Sequence, residues 1–359
     1  MMDNSKFAQN FHNKNTNFSK ISFEKGNLLP HRYVFVLTNL CNLRCSFCFQ
    51  ERKKNPNRMF KDDWIGLIEK IPHQSRITLT GGEPLAYKGF EEIFQKANKN
   101  HYTNIITNGT LLKDEFFSLF LQHKNFKVLS VSIDTLGNTN RDFKKGQWEK
   151  LVENLQRFKK KIRQEKSEIV INIKTVVTDE NIDQLYNLNK FVSEEIDADT
   201  HDLMLLKGAD IQHSDVMFKY DDAHKKYKAY EYKNFDQLID QLNLIRKNNL
   251  TNNKKAFLHP NIIPLNSEKK IKKDDYKFLN FTDHKKENYS TCLSPWTSVH
   301  VNVDGNVFPC MAFPIGNVKK QSMEEIYFSK ISETFKREIK KCGTLPGCNR
   351  CGWLKPKVY

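Results

Sequence analysis

Six times between residues 31 and 247, a short β-branched or aliphatic run is followed by a longer stretch with helical periodicity. The runs at 33–38, 76–80, 104–107, 127–133, 168–177 and 202–206 read as strands. Helices are predicted at about 62–71, 89–99, 113–122, 147–163, 181–193 and 222–247. Strands alternating with helices of this length predict an α/β fold with a parallel sheet and helices outside. Right-handed crossovers curl six such units into an open barrel or a doubly wound sheet, with functional residues at the C-terminal strand ends. Cys41, Gly81-Gly82-Glu83, Asn108 and Asp134 all fall at such ends.

The rest of the 359-residue chain divides by composition. Residues 1–30 are a polar arm without the apolar core of a signal peptide. Residues 248–290 are rich in Lys, Asn and Asp and read as a charged linker or insertion. Residues 291–359 are turn-rich, with a hairpin expected at 298–308 turning at Asp304-Gly305. No run approaches the roughly 20 apolar residues of a spanning helix, so no membrane role is expected. Lys and Arg total 58 against 42 Asp and Glu, a net +16. Acids are mixed into most basic stretches, which reads as solvated surface, and nucleic acid is not indicated. A cytoplasmic location is expected, where clustered cysteines mean metal or redox sites and not disulfides.

The eight cysteines fall into two groups: Cys41, Cys45 and Cys48, then Cys292, Cys310, Cys342, Cys348 and Cys351. The first group is C-x3-C-x2-C. Three thiolates on one loop suit three irons of a cubane cluster and leave the fourth iron open for a ligand. Zinc is the competing reading, but it usually wants four ligands, and no fourth Cys or His follows nearby.

With Phe47 before the third cysteine and Gly81-Gly82-Glu83-Pro84 ending the second strand, the chain resembles the radical S-adenosylmethionine (SAM) enzymes over about residues 32–210. The resemblance implies a partial (β/α)6 TIM-like barrel over 31–247. It implies a [4Fe–4S] cluster on Cys41, Cys45 and Cys48 whose open iron binds SAM. Reductive cleavage then gives a 5′-deoxyadenosyl radical that abstracts a substrate hydrogen. It also implies cofactor contacts from Phe47, Gly81, Gly82, Glu83, Asn108, Ser132 and Asp134, with Glu83 accepting from the SAM ammonium. Arg141 is a weaker candidate for the SAM carboxylate. Thr135 stands where many relatives have Gly.

The second group reads C-x12-G-x4-C, from Cys292 through Gly305 to Cys310, then C-x5-C-x2-C. It resembles the SPASM/Twitch extension, which implies an auxiliary-cluster domain over 291–359. Five thiolates cannot fully ligate two cubanes, so one auxiliary [4Fe–4S] cluster on Cys292, Cys310, Cys348 and Cys351 is expected. Cys342 would be spare or an alternative ligand. A structural zinc site is the bland reading. The resemblance implies oxidative modification of a peptide or protein side chain, with a flavodoxin or ferredoxin as electron donor. A small-molecule dehydrogenase or rearrangement enzyme is the alternative, and a noncatalytic electron-transfer protein the reading from another class. Forty residues precede Cys41, too few for a fused winged-helix leader-peptide reader, so a peptide substrate would call for a separate one. No catalytic acid or base is evident; Lys174 and Asp202 on strand ends are equally good as structural residues.

Overall fold

The computed structural model describes residues 17–48, 50, 55–137, 142–206, 219–225, 230–261, 265–272, 289–310, 313–348, 351–355 and 357. Arg141 lies outside them.

Seven parallel strands carry the fold: β1 (Arg32–Val36), β2 (Arg76–Thr80), β3 (Tyr102–Thr107), β4 (Phe126–Ser132), β5 (Val170–Val177), β6 (Thr200–Leu205) and β7 (Lys255–His259). After α1 (17–25), the helices between them are α2 (Lys61–Lys70), α3 (Phe90–Asn100), α4 (Asp114–Leu121), α5 (Gln147–Gln164), α6 (Leu185–Glu194) and α7 (Phe235–Thr251). The C-terminal part adds α8 (Ser294–Thr297), β8 (Ser298–Val301), β9 (Asn306–Phe308), β10 (Gly316–Asn317), α9 (Met323–Tyr327) and α10 (Lys330–Cys342). The sheet order is β10-β9-β8-β1-β2-β3-β4-β5-β6-β7.

Period-2 alternation sorts each strand into two faces. Tyr33, Phe35, Ile77 and Leu79 are fully buried beneath the helices, with Phe35 against Trp64 of α2 at a centroid separation of 5.2 Å. The opposite face bears Arg32, Arg76, Thr78, Asn104, Ser130, Asn172, Lys174 and Asp202, so the inside of the partial barrel is polar. Asp202 on β6 acts electrostatically on Arg76 on β2, four strands away, because the sheet curls.

Three expectations change. The helix expected over 222–247 is two elements: a 3-10 turn, Tyr220–His224, and α7 beginning at Phe235. The segment 248–290 supplies β7, which pairs parallel with β6 from Thr200↔Lys255 to Met204↔His259. Its alternation is visible in Ala256 and Leu258, both buried, but is masked by flanking Lys and Asn. The polar arm includes α1, which packs on α8: Thr297 Oγ1 donates to Ser19 Oγ at 2.6 Å, and Phe23 meets Trp296 edge-on at 4.8 Å.

The hairpin expected at 298–308 is present as β8 and β9. It also joins the main sheet, since β8 pairs parallel with β1 from Arg32↔Ser298 to Phe35↔Val301.

Candidate active site and cluster loops

The 41–48 loop leaves the C-terminal end of β1 and is held by backbone contact. Gly82 N donates to Thr38 O at 2.6 Å, and Glu83 N donates to Leu40 O at 2.9 Å. A Cβ on Gly82 would lie 2.1 Å from Leu40 O, so only glycine permits this approach. The glycines expected to admit a cofactor also let the second strand's turn grip the chain leading into Cys41.

Glu83 is fully buried. Its carboxylate accepts from Leu85 N (3.0 Å), Thr107 Oγ1 (2.6 Å) and Asn108 N (2.8 Å), tying the Gly81–Pro84 turn to the end of β3. Asn108 Nδ2 reaches Asn42 Oδ1 at 2.9 Å and Cys41 Sγ at 3.6 Å. Asn42 in turn donates to Thr110 Oγ1 at 2.8 Å, and Thr110 bonds back to Asn108 Oδ1. Asn42, Thr107 and Thr110 escape sequence reasoning; the Asn-Gly turn marks the place, but the partners come from another strand.

Cys41, Cys45 and Phe47 are half-buried and Cys48 is exposed. Leu43 N donates to Cys41 Sγ at 3.4 Å. Burial pushes the Cys41 thiol up, while the Leu43 N–H and the Asn108 amide pull it down and the Glu83 charge raises it further. Ser132 ends β4 on the inner face beside Lys174. Asp134 is buried and accepts from Val176 N at 2.6 Å, stitching the ends of β4 and β5. Gln50 Nε2 donates to Gly81 O at 2.9 Å.

At the register level of Ser132 on the inner face, Lys174 Nζ lies 2.6 Å and His259 Nε2 3.3 Å from the Asp202 carboxylate. Burial alone would raise the Asp202 carboxyl; Lys174 and His259 overcome it and hold it far below the usual carboxylate range.

The second cysteine group sits at the opposite end of the β1–β8 pair. Cys292 precedes β8. Since His300 pairs with Phe308, Cys310 returns to the level of Ser298, at the same open end of the hairpin. Cys292 N donates to Gly343 O at 2.9 Å, which also places Cys342 alongside. Cys348 is buried in a tight turn where Cys351 N donates to Cys348 O at 3.0 Å. Burial pushes the Cys292 thiol up to about 12, with Cys351 adding to it. Burial raises Cys348 in the same way, with Cys292 and Cys351 as charged neighbours. Three thiols converging in a desolvated place suit a cationic metal cluster, which stabilises their deprotonated forms. No described helix is long and apolar enough to cross a membrane.

Comparison with known proteins agrees with this layout. The model of the radical SAM superfamily matches residues 35–189, and that of an iron–sulfur cluster-binding domain, SPASM, matches residues 292–352. The sporulation killing factor maturation protein SkfB of Bacillus subtilis is 25% identical over 322 residues, covering 88% of this chain and 68% of that protein. The antilisterial bacteriocin subtilosin biosynthesis protein AlbA of the same organism is 21% identical, covering 84% of this chain and 60% of that one. The crystal structure of Streptococcus suis SuiB bound to the precursor peptide SuiA shares the fold, with a TM-score of 0.61 and 16% identity over 94% of this chain and 75% of that one. Residues 35–189 thus form a radical SAM domain, and residues 292–352 a C-terminal SPASM iron–sulfur cluster-binding domain.

Proposed function

We propose that this radical SAM enzyme modifies a peptide oxidatively, as a maturation enzyme for a ribosomally made precursor. The observation that carries this reading is the extent of its likeness to SkfB and AlbA, which runs through the barrel and the second cysteine group alike. Cys41, Cys45 and Cys48 are the proposed ligands of the SAM-binding cluster. Cys292, Cys310, Cys348 and Cys351 are those of one auxiliary cluster, with Cys342 outside the set. Clusters held by these cysteines, with SAM, would supply hydrogen-atom abstraction from the substrate and an acceptor for the electron left behind, the accompanying proton leaving to solvent.

The chain's own work is positioning. Gly82 and Glu83 fix the path of the 41–48 loop, and Asn108 with Asn42 and Thr110 holds its first turn. Ser132 and Lys174 stand side by side on the inner face. The Lys174–Asp202–His259 cluster can bind and orient a polar substrate group there. A small flavodoxin or ferredoxin is the proposed electron donor, in a reducing cytoplasm that keeps the thiols free.

The test is anaerobic reconstitution with iron, sulfide, reductant and SAM, together with short peptides encoded beside the gene. The expected result is 5′-deoxyadenosine and a peptide lighter by two hydrogens. Deoxyadenosine without any modified peptide, but with turnover of a sugar or nucleotide, would move the assignment to small-molecule chemistry.

A further inference from the structure

The inner face of the sheet carries charge that neither cysteine group uses. Arg32 and Arg76 are register partners on adjacent parallel strands, so their side chains leave the inner face roughly 4.8 Å apart. Of the described strand residues on this face, four are cations, Arg32, Arg76, Lys174 and Lys255, and one, Asp202, is an acid. Asp202 is held by Lys174 and His259, and the Lys255 ammonium by the carbonyls of Asn249 and Asn252. With the Asn104 amide turned to suit its neighbours, its oxygen accepts from Arg76 Nη2 and from Arg76 Nε, the latter at 2.8 Å. Arg32 stacks on Trp353, 5.3 Å from the ring centroid. Its Nη1 is shut off from water and has no hydrogen-bond partner. A guanidinium N–H in that state is costly unless an anion completes it. Burial lowers Arg32 to about 10 and, with Arg32 adding to it and the Asp202 charge opposing, Arg76 to about 9, so both remain charged at neutral pH.

We propose that Arg32 and Arg76, walled by Trp353, form a subsite for a carboxylate of the peptide substrate, a proposal that rests on the peptide reading above. Arg32 offers its unmet Nη1–H groups to a carboxylate oxygen, and the Arg76 guanidinium, anchored on Asn104, adds positive charge from the neighbouring strand. The subsite is separate from the SAM-contacting motifs. Arg76 stands five residues before Gly81 on one strand, roughly 16 Å down the sheet. An extended peptide spanning that depth places its acidic residue about five positions from the residue that reacts.

The anaerobically reconstituted full chain tests this through Trp353 fluorescence, isolated by subtracting the signal of a Trp353→Phe variant. Acetyl-Gly-Glu-Gly-amide should give a saturable change and acetyl-Gly-Gln-Gly-amide none. Arg32→Met and Arg76→Met should each weaken binding of the Glu peptide about 10- to 100-fold. An equal response to both peptides, or unchanged affinity in both variants, overturns the proposal. So does inorganic phosphate binding where the Glu peptide does not, which would give the pair to a phosphorylated ligand. Melting separates binding from folding: Arg32→Met removes an unmatched charge and should melt at or above wild type in anion-poor buffer. A fall of several degrees marks Arg32 as structural and also overturns the proposal. None of these readouts uses SAM cleavage, so loss of deoxyadenosine formation with peptide binding intact counts against the catalytic reading alone.

Discussion

Gly82 shows how much one residue can hold. Its missing Cβ allows the turn after β2 to hydrogen-bond directly to the backbone entering the first cysteine loop. Gly82→Ala forces the two segments apart. It should cost about 1–3 kcal/mol of stability, as overpacking does, and lower the iron bound at the 41–48 loop, read by denaturant unfolding and iron analysis. Glu83→Gln should cost a similar amount, about 1–3 kcal/mol, because an amide nitrogen then faces N–H donors in a buried place. Their motif marks the two residues in the sequence as expected cofactor contacts. Their structural duties were not legible there, because the partners Leu40, Thr107 and Asn108 come from other elements, and spacing along one chain does not reveal a neighbour across a sheet.

Among the elements, the six β/α units were readable because each strand is β-branched and each helix amphipathic. β7 was not, since five residues with two buried side chains look like surface when set among Lys and Asn. The β5–β6–α6 layer carries a pH response. His201 on β6 is buried, with Nε2 2.8 Å from Thr175 Oγ1 and Nδ1 3.1 Å from Asn189 Nδ2. Thr175 donates its own proton to Ile133 O, and Asn248 donates to Asn189 Oδ1, so the layer accepts only the neutral imidazole with its proton on Nε2. Burial lowers the His201 pKa to about 4, with neighbouring Asp202 opposing. Between about pH 6.5 and 4 the unfolded chain therefore binds the extra proton and the folded one does not. This contribution is complete above about pH 6.5 and is lost as pH falls toward 4, on the order of 3 kcal/mol in all. Guanidinium unfolding across that range should show the slope in wild type and lack this part of it in His201→Gln.

The whole molecule is held together by β8 lying against β1. Ending the chain after Ser290 strips the edge from β1 and exposes the surface beneath Trp296 and Tyr327. The truncated barrel should aggregate, checked by solubility and size-exclusion chromatography, because an uncovered edge strand templates further pairing. Iron content tests the cysteine assignment at the same scale. About eight irons per chain are expected for two cubanes, falling to about four in Cys351→Ser and unchanged in Cys342→Ser.

That pairing also fixes a length. The loop with Cys41 leaves one end of β1, and Cys292 and Cys310 flank the opposite end of β8, in register beside it. A backbone ladder therefore works as a ruler between the two cysteine groups, and domain motion cannot shorten it. On the oxidative reading proposed above, an electron leaving the substrate near the first group crosses the barrel's depth to reach the second. The magnetic coupling between the two clusters, measured by electron paramagnetic resonance, should stay the same whether or not peptide is bound.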